Sequence, residues 1–164
     1  RHLAVITLLP SWMLGPGDAE PTSGGQFVLD FLNSRPRPLA NNPVDVVDVR
    51  DIAGAMVSAV YEGRAGEPYV VSAHHVSQWD LVQTLAHVTG APLSAQRVSV
   101  ATVSDAPAGK TRTAVVKAAD ELPILYCPLQ ETLYDAVRWY QIHQPQRIAG
   151  QARPVLMGAE FMDR

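Results

Sequence analysis

Charge is scarce in this chain of 164 residues: Asp, Glu, Lys and Arg make up 18% of it, and the formal net charge is −3. A balance so close to neutral gives no general pull toward nucleic acid or an anionic membrane surface, and the basic residues are not clustered with aromatics. Cysteine is almost absent. The single Cys127 excludes an internal disulfide and a cysteine-based metal cluster, which fits a reducing cytoplasm. Flanked by Tyr126 and Pro128, its thiol reads as buried and inert. Long apolar runs are missing too: none approaches the ~20 residues of a bilayer-spanning helix. The run Leu3 to Leu9 stops at Pro10, too short and wrongly flanked for a signal peptide. Repeats, low-complexity tracts and an evident linker between domains are also lacking. The first residue, Arg1, is not an initiator methionine, so the chain is expected to be processed or to be a piece of something longer.

What is present is apolar material, 47% of the residues, enough for one globular domain with a sizeable core. Leu3 to Leu9 reads as a buried strand of a parallel sheet, covered on both faces. A turn-rich loop follows through Gly15-Pro-Gly-Asp18 and Gly24-Gly25, then a short helix over Gln26 to Asn33, broken by Arg35-Pro-Arg-Pro38. Val44 to Val49 reads as a strand. Asp51 is the expected N-cap of a helix with Ile52, Ala55, Met56, Ala59 and Val60 on its inner face and Gly63 as its stop. Pro68 to Ala73 is the next strand. Ser77 and Asp80 form a capping-box-like pair ahead of Leu81, Val82, Leu85, Ala86 and Val88, with Gly90 closing that helix. Val98 to Val100 reads as a short strand, Ser104 to Arg112 as a loop and Thr113 to Leu122 as a helix. Leu129, Leu133, Ala136, Val137 and Tyr140 mark an amphipathic helix after Pro128. The tail after Gln144 has no clear period. Alternating strands and helices make this an α/β chain.

Four segments, in order, carry a resemblance. They are Val5-Ile-Thr-Leu-Leu-Pro-Ser-Trp-Met-Leu-Gly-Pro-Gly-Asp18, Phe27-Val-Leu-Asp-Phe-Leu-Asn33, Val46-Val-Asp-Val-Arg-Asp-Ile-Ala53 and Pro128-Leu-Gln-Glu-Thr-Leu-Tyr-Asp-Ala-Val-Arg-Trp-Tyr140. Together they resemble the C-terminal half of extended short-chain dehydrogenases/reductases, in the NAD-dependent epimerase/dehydratase and dihydroflavonol-reductase-like branch. The resemblance implies a Rossmann-like fold whose parallel strands carry a small α/β substrate-binding lobe. Residues 1–144 would form the substrate-binding portion and 145–164 an extended tail. It also implies NAD or NADP as cofactor of the complete protein, and a nucleotide sugar or small carbonyl compound as substrate.

The departures from the family pattern bear on catalysis. No Gly-x-x-Gly-x-x-Gly turn is present, and Gly15-Pro-Gly17 cannot replace it because proline lacks an amide hydrogen. None of the five tyrosines is followed four residues later by the lysine that the family uses to tune its proton-transferring tyrosine. Tyr134 and Arg138 copy only the spacing, and an exposed surface pair is the simpler reading. The stretch Ala101 to Thr113 is shorter than in relatives, and Asp48 stands where they usually carry histidine. No catalytic residue is therefore assigned within this chain.

The resemblance implies that Pro10 and Ser11 line the nicotinamide end of the cofactor; the bland alternative is a strand end with a tight turn. Trp12, Phe27 and Phe31 could face a substrate through apolar and stacking contact, or simply fill the core. Arg35 and Arg37 could hold a phosphate or carboxylate through their guanidinium forks, or lie solvated in a Pro-rich loop. Adjacent strand residues point to opposite faces, so His74 and His75 diverge and no metal site is expected there. Asp45, Asp48 and Asp51 do not make one either.

Two functions follow. In the first, this chain is the substrate-binding half of an NAD(P)-dependent oxidoreductase, epimerase or dehydratase whose acid–base groups lie outside it. The resemblance then implies a homodimer built through helices of the other half. In the second, it is a non-catalytic remnant serving as a binding or interaction module. Standing alone, the strand Leu3 to Leu9 would present an unpaired apolar edge, so self-association or pairing with a missing N-terminal half is expected.

Overall fold

The computed structural model describes residues 3–35, 37–40, 43–93, 98–101 and 118–149. Two extended runs organise it. In the first, β1 (Thr7–Pro10) passes through Ser11 into β2 (Trp12–Leu14). In the second, β5 (Pro68–Val71) passes through Ser72 and Ala73 into β6 (His74–Val76). β1 pairs in parallel with β5. β2 pairs in parallel with β4 (Val44–Asp48), which takes β6 antiparallel on its other side. Two backbone bonds, Ser11 N to Val71 O and Ala73 N to Val46 O, both 3.0 Å, stitch the junction. A further parallel pair joins β3 (Arg37–Ala40) to β7 (Val98–Ala101).

The helices are α1 (Ser23–Leu32), α2 (Val49–Glu62), α3 (Gln78–Thr89) and α4 (Leu129–His143), followed by a 3-10 turn over Pro145–Arg147. The capping box of α3 forms as the sequence predicts: the Ser77 hydroxyl accepts from Asp80 N, and the Asp80 carboxylate accepts from Ser77 N. Gly90 ends α3 at φ 64°, a left-handed value that glycine adopts without the clash a Cβ brings.

Two cores result, and β4 feeds both because neighbouring strand residues face opposite ways. Val46 enters a cluster with Leu14, Phe27, Phe31, Leu81, Leu85, Leu133 and Tyr140, built from α1, α3 and α4 around the β2–β4–β6 sheet. Val47 enters a smaller one with Ile52, Ala55, Ala59, Tyr69, Val71 and Leu122, where α2 covers one face of β1 and β5.

Three expectations are corrected here. The first strand is shorter than Leu3 to Leu9 and is not buried on both faces: Leu3, Val5 and Leu9 are 87%, 55% and 47% exposed. Among the described residues β1 has one strand partner, β5, so its other edge and one face are open. The N-cap of α2 is Asp48, whose carboxylate accepts from Arg50 N, and not Asp51. Met56 and Val60, expected on the inner face, are 57% and 76% exposed. α2 is apolar nearly all round, so periodicity alone could not choose its buried side. The expected loop Ser104 to Arg112 lies outside the described residues, as does most of the expected helix Thr113 to Leu122, of which 118–121 are helical. After Gln144, Ile148 docks into the larger core and Asn33 bonds Arg147 O and Ala149 N. No helix among the described residues is long and apolar enough to cross a membrane.

Candidate functional site

Ligands of open α/β sheets gather beyond the C-terminal ends of parallel strands, where the chain departs in different directions. β1 ends in such a place. Pro10 is exposed, and Ser11 is half-buried where the first run leaves β5 and turns to β4. The Ser11 amide is spent on Val71 O, yet its Oγ is shielded from solvent with no partner among the described residues. A shielded hydroxyl without a partner forfeits roughly 1–3 kcal/mol.

The next residue, Trp12, is half-buried. Its Nε1 donates to Ser23 Oγ at 2.9 Å, and its ring meets Phe27 edge-on with centroids 5.3 Å apart. Phe27 and Phe31, proposed as substrate-facing, are 2% and 6% exposed; the structure gives their rings to the core, because α1 turns that face toward α4. Arg35 is exposed and lies 3.8 Å from Asp30. Arg37 opens β3, and its side chain lies outside the described residues.

The Gly-Pro-Gly-Asp loop closes against the start of α1. Both oxygens of Asp18 accept from Thr22 N (3.1 and 2.9 Å), and the Thr22 hydroxyl donates to one of them. A carboxylate thus already occupies the end of α1 that would otherwise attract an anion. Tyr140 donates its hydroxyl to Asp18 O at 3.2 Å; burial first, then Asp18, pushes this phenol above its ordinary range. Gly25 makes the approach possible, since a Cβ there would sit 2.0 Å from the Tyr140 hydroxyl and 2.1 Å from Asp18 Oδ2. A small apolar cavity of about 180 Å³ remains between Met13, Val28, Val49 and Tyr140.

A second polar cluster was not legible beforehand. Asp48, 1% exposed, is paired with Arg50 Nη2 at 2.7 Å, and Arg50 Nη1 reaches Asp135 of α4 at 2.7 Å. Burial raises the Asp48 pKa, but hydrogen bonds from the Arg50 side chain and backbone outweigh it and hold the carboxyl below its ordinary value. Asp51 accepts from Cys127 N (3.1 and 3.2 Å), and His74 Nε2–H donates to Cys127 O at 2.9 Å. Burial and the Asp51 carboxylate push the Cys127 thiol up to about 12, so it stays protonated and unreactive. His75 turns the other way, to Asp45 at 2.7 Å. The cluster pins α2, β6 and α4 to the segment before Pro128, and no group of metal-binding side chains is found among the described residues. Its signal in the sequence was the spacing Asp48-x-Arg50-Asp51, but the partners lie 76 and 85 residues away. The Tyr126 hydroxyl is shielded without a partner, and burial, with Asp51, raises its pKa.

No protein-family model matches the chain. It is 26% identical to a putative dihydroflavonol 4-reductase of Synechocystis over 85% of its length and 49% of that protein's. It is 33% identical to sterol demethylase protein B of Methylococcus capsulatus, over 56% of this chain and 28% of the other. Among solved structures, a nucleoside-diphosphate-sugar epimerase from Pseudomonas aeruginosa superposes with TM-score 0.66 at 22% identity, over 85% of this chain and 48% of that one. A Bordetella bronchiseptica enzyme, WbmH, in complex with NAD+ gives 0.67 at 22% identity, over 86% and 46%. The chain therefore spans half or less of these proteins, and its fold is that of the corresponding half of these Rossmann-like structures.

Proposed function

We propose that this chain is the substrate-side half of an NAD(P)-dependent oxidoreductase, epimerase or dehydratase acting on a nucleotide sugar or small carbonyl compound. The observation that carries the reading is β1: among the described residues it is a parallel strand paired on one side only, leading into Ser11, whose shielded hydroxyl has no partner among them. The dinucleotide-binding half would continue the sheet along the open edge of β1. The nicotinamide, when bound, supplies the hydride acceptor or donor. Pro10 and Ser11 would border it, the Ser11 Oγ being free to hydrogen-bond a polar group of the cofactor. Trp12 would border the substrate, and Arg35 and Arg37 would neutralise its phosphates or carboxylate. The described residues offer no amide-lined glycine turn for a pyrophosphate, so they fit one border of the cofactor only. The acid–base pair belongs to the other half.

The test uses the native gene product. Its intact mass is expected near twice this chain's 17.8 kDa, and titration with NAD+ and NADP+ should show saturable binding of one of them. Ser11→Ala in that product should weaken binding by roughly tenfold, the weight of one hydrogen bond to a shielded group. A product of 17.8 kDa that binds neither dinucleotide would overturn the reading.

A further inference from the structure

We infer, resting on the enzymatic reading above, that the substrate is a carbonyl compound whose reacting end is flat, apolar and uncharged, stacked on the Trp12 indole, and that nucleotide sugars are excluded. Of the two substrate classes this keeps one. Trp12 lies half-buried, two residues beyond the exposed Pro10 that ends β1. Its one hydrogen-bond donor is spent on Ser23 Oγ, so the indole offers a newcomer only its apolar ring. Phe27 meets that ring edge-on with centroids 5.3 Å apart and holds it in one orientation, which lowers the entropy lost when a flat molecule stacks there.

The charges around Trp12 have the wrong sign for a diphosphate. Paired strand residues share a face of the sheet. In the row of Trp12 stand Val46 and His74, with Val44 and Val76 in one neighbouring row and Leu14 and Asp48 in the other. His74 is tied to Cys127 O, and Asp48 is a carboxylate already taken by Arg50. α1 repeats the pattern. Ser23, Gln26 and Asp30 follow at steps of three and four, one line along the helix, and Gln26 Nε2 donates to Asp30 at 2.6 Å. Asp18 stands before the start of that line. Arg35 and Arg37 come only after its far end, with the ten residues of α1, about 15 Å of helix, in between. Arg35 lies beside Asp30 and Arg147 beside Glu20. A nucleotide sugar carries its diphosphate one sugar ring from the reacting carbon. Seated at Trp12, that diphosphate would meet apolar rings and carboxylates, and no described cation offsets its desolvation. A flat uncharged carbonyl compound meets no such penalty. Arg35 and Arg37 remain for a carboxylate at the far end of a longer one.

Calorimetric titration of the whole gene product, saturated with its dinucleotide, tests this with 2-naphthol as the flat uncharged probe and UDP-glucose as the charged one. Saturable binding of 2-naphthol is expected, and none of UDP-glucose up to about 1 mM. Trp12→Leu and Trp12→Phe both lose the bond to Ser23 and both keep an apolar side chain, so their difference reads the aromatic ring alone. Trp12→Leu should weaken 2-naphthol about tenfold relative to Trp12→Phe. Absence of 2-naphthol binding, equal affinities in the two variants, or tighter binding of UDP-glucose than of 2-naphthol would overturn the substrate class. A product that binds a dinucleotide but not 2-naphthol sinks the substrate class alone; one that binds no dinucleotide sinks the enzymatic reading, and this with it.

Discussion

The two cores of this molecule are finished to different degrees. Around the β2–β4–β6 sheet, three helices and Ile148 leave the large side chains dry: Phe27, Leu81, Leu85, Leu133 and Tyr140 are all at or below 2% exposure. Around β1 and β5, a two-stranded parallel sheet has α2 on one face and nothing described on the other. Two strands do not bury enough to stand alone, and Leu3, Val5 and Leu9 remain in water. The lesson is that exposure is heaviest along β1 and α2, while on the larger body it is confined to single positions such as Trp79 and Ile142.

The largest expected effect tests the finished core. Leu133→Ala should cost about 2–5 kcal/mol, because a fully buried leucine leaves a cavity between α1, α3 and α4; urea denaturation measures it, and a loss under 1 kcal/mol would mean that core is loose. Next comes the polar cluster joining the two bodies. Arg50→Ala strands the Asp48 carboxylate; since Arg50 is 39% exposed, solvent tempers the loss to about 2 kcal/mol. Asp48 has a lowered pKa, so its contribution is complete above the ordinary carboxylate range and lost as pH falls through the native value, below about pH 4. The gap between wild type and Arg50→Ala should therefore narrow in acid, and melting curves from pH 7 to 3 would show the sign.

A smaller effect concerns Cys127. A raised thiol pKa contributes stability that is full below the ordinary value of 9.0 and lost as pH rises toward about 12. Asp51→Asn removes the nearby carboxylate, so Cys127 should react faster with a thiol reagent at pH 8; unchanged labelling would show that burial alone sets its pKa. The smallest effect lies on the open body. Leu9→Ala should change stability by about 0.5 kcal/mol or less, and a core-sized loss there would mean that β1 is covered after all.

Much of the fold was legible in the sequence where signals are local. Ser77, Asp80 and Gly90 fix α3 through hydrogen bonds and a backbone angle confined to a few residues, and the stripe from Leu129 to Tyr140 fixes α4. Legibility failed where the chain is apolar on every side. Nothing local distinguishes Ala55 from Met56 in α2; which faces inward depends on Tyr69 and Val71. It failed also at Asp48, whose capping role is visible only once β4 is known to run directly into α2. Among the candidate site residues, Pro10, Ser11 and Trp12 were placed at the end of one strand by continuity of chain. Phe27 and Phe31 were not separable from core by sequence, because an aromatic lining a cleft and one filling a core obey the same spacing.

Tyr140 closes the larger core from 122 residues downstream of Asp18, and this sets a schedule for biosynthesis. During translation at 5–20 residues per second, the Gly-Pro-Gly-Asp loop and β2 emerge on the order of ten seconds before the helix that seals them. The nascent chain must carry Leu14 and Phe27 through that interval without the helix that covers them. It is a natural client for a ribosome-associated chaperone, and its yield on overexpression should follow chaperone supply more closely than the stability of the finished fold.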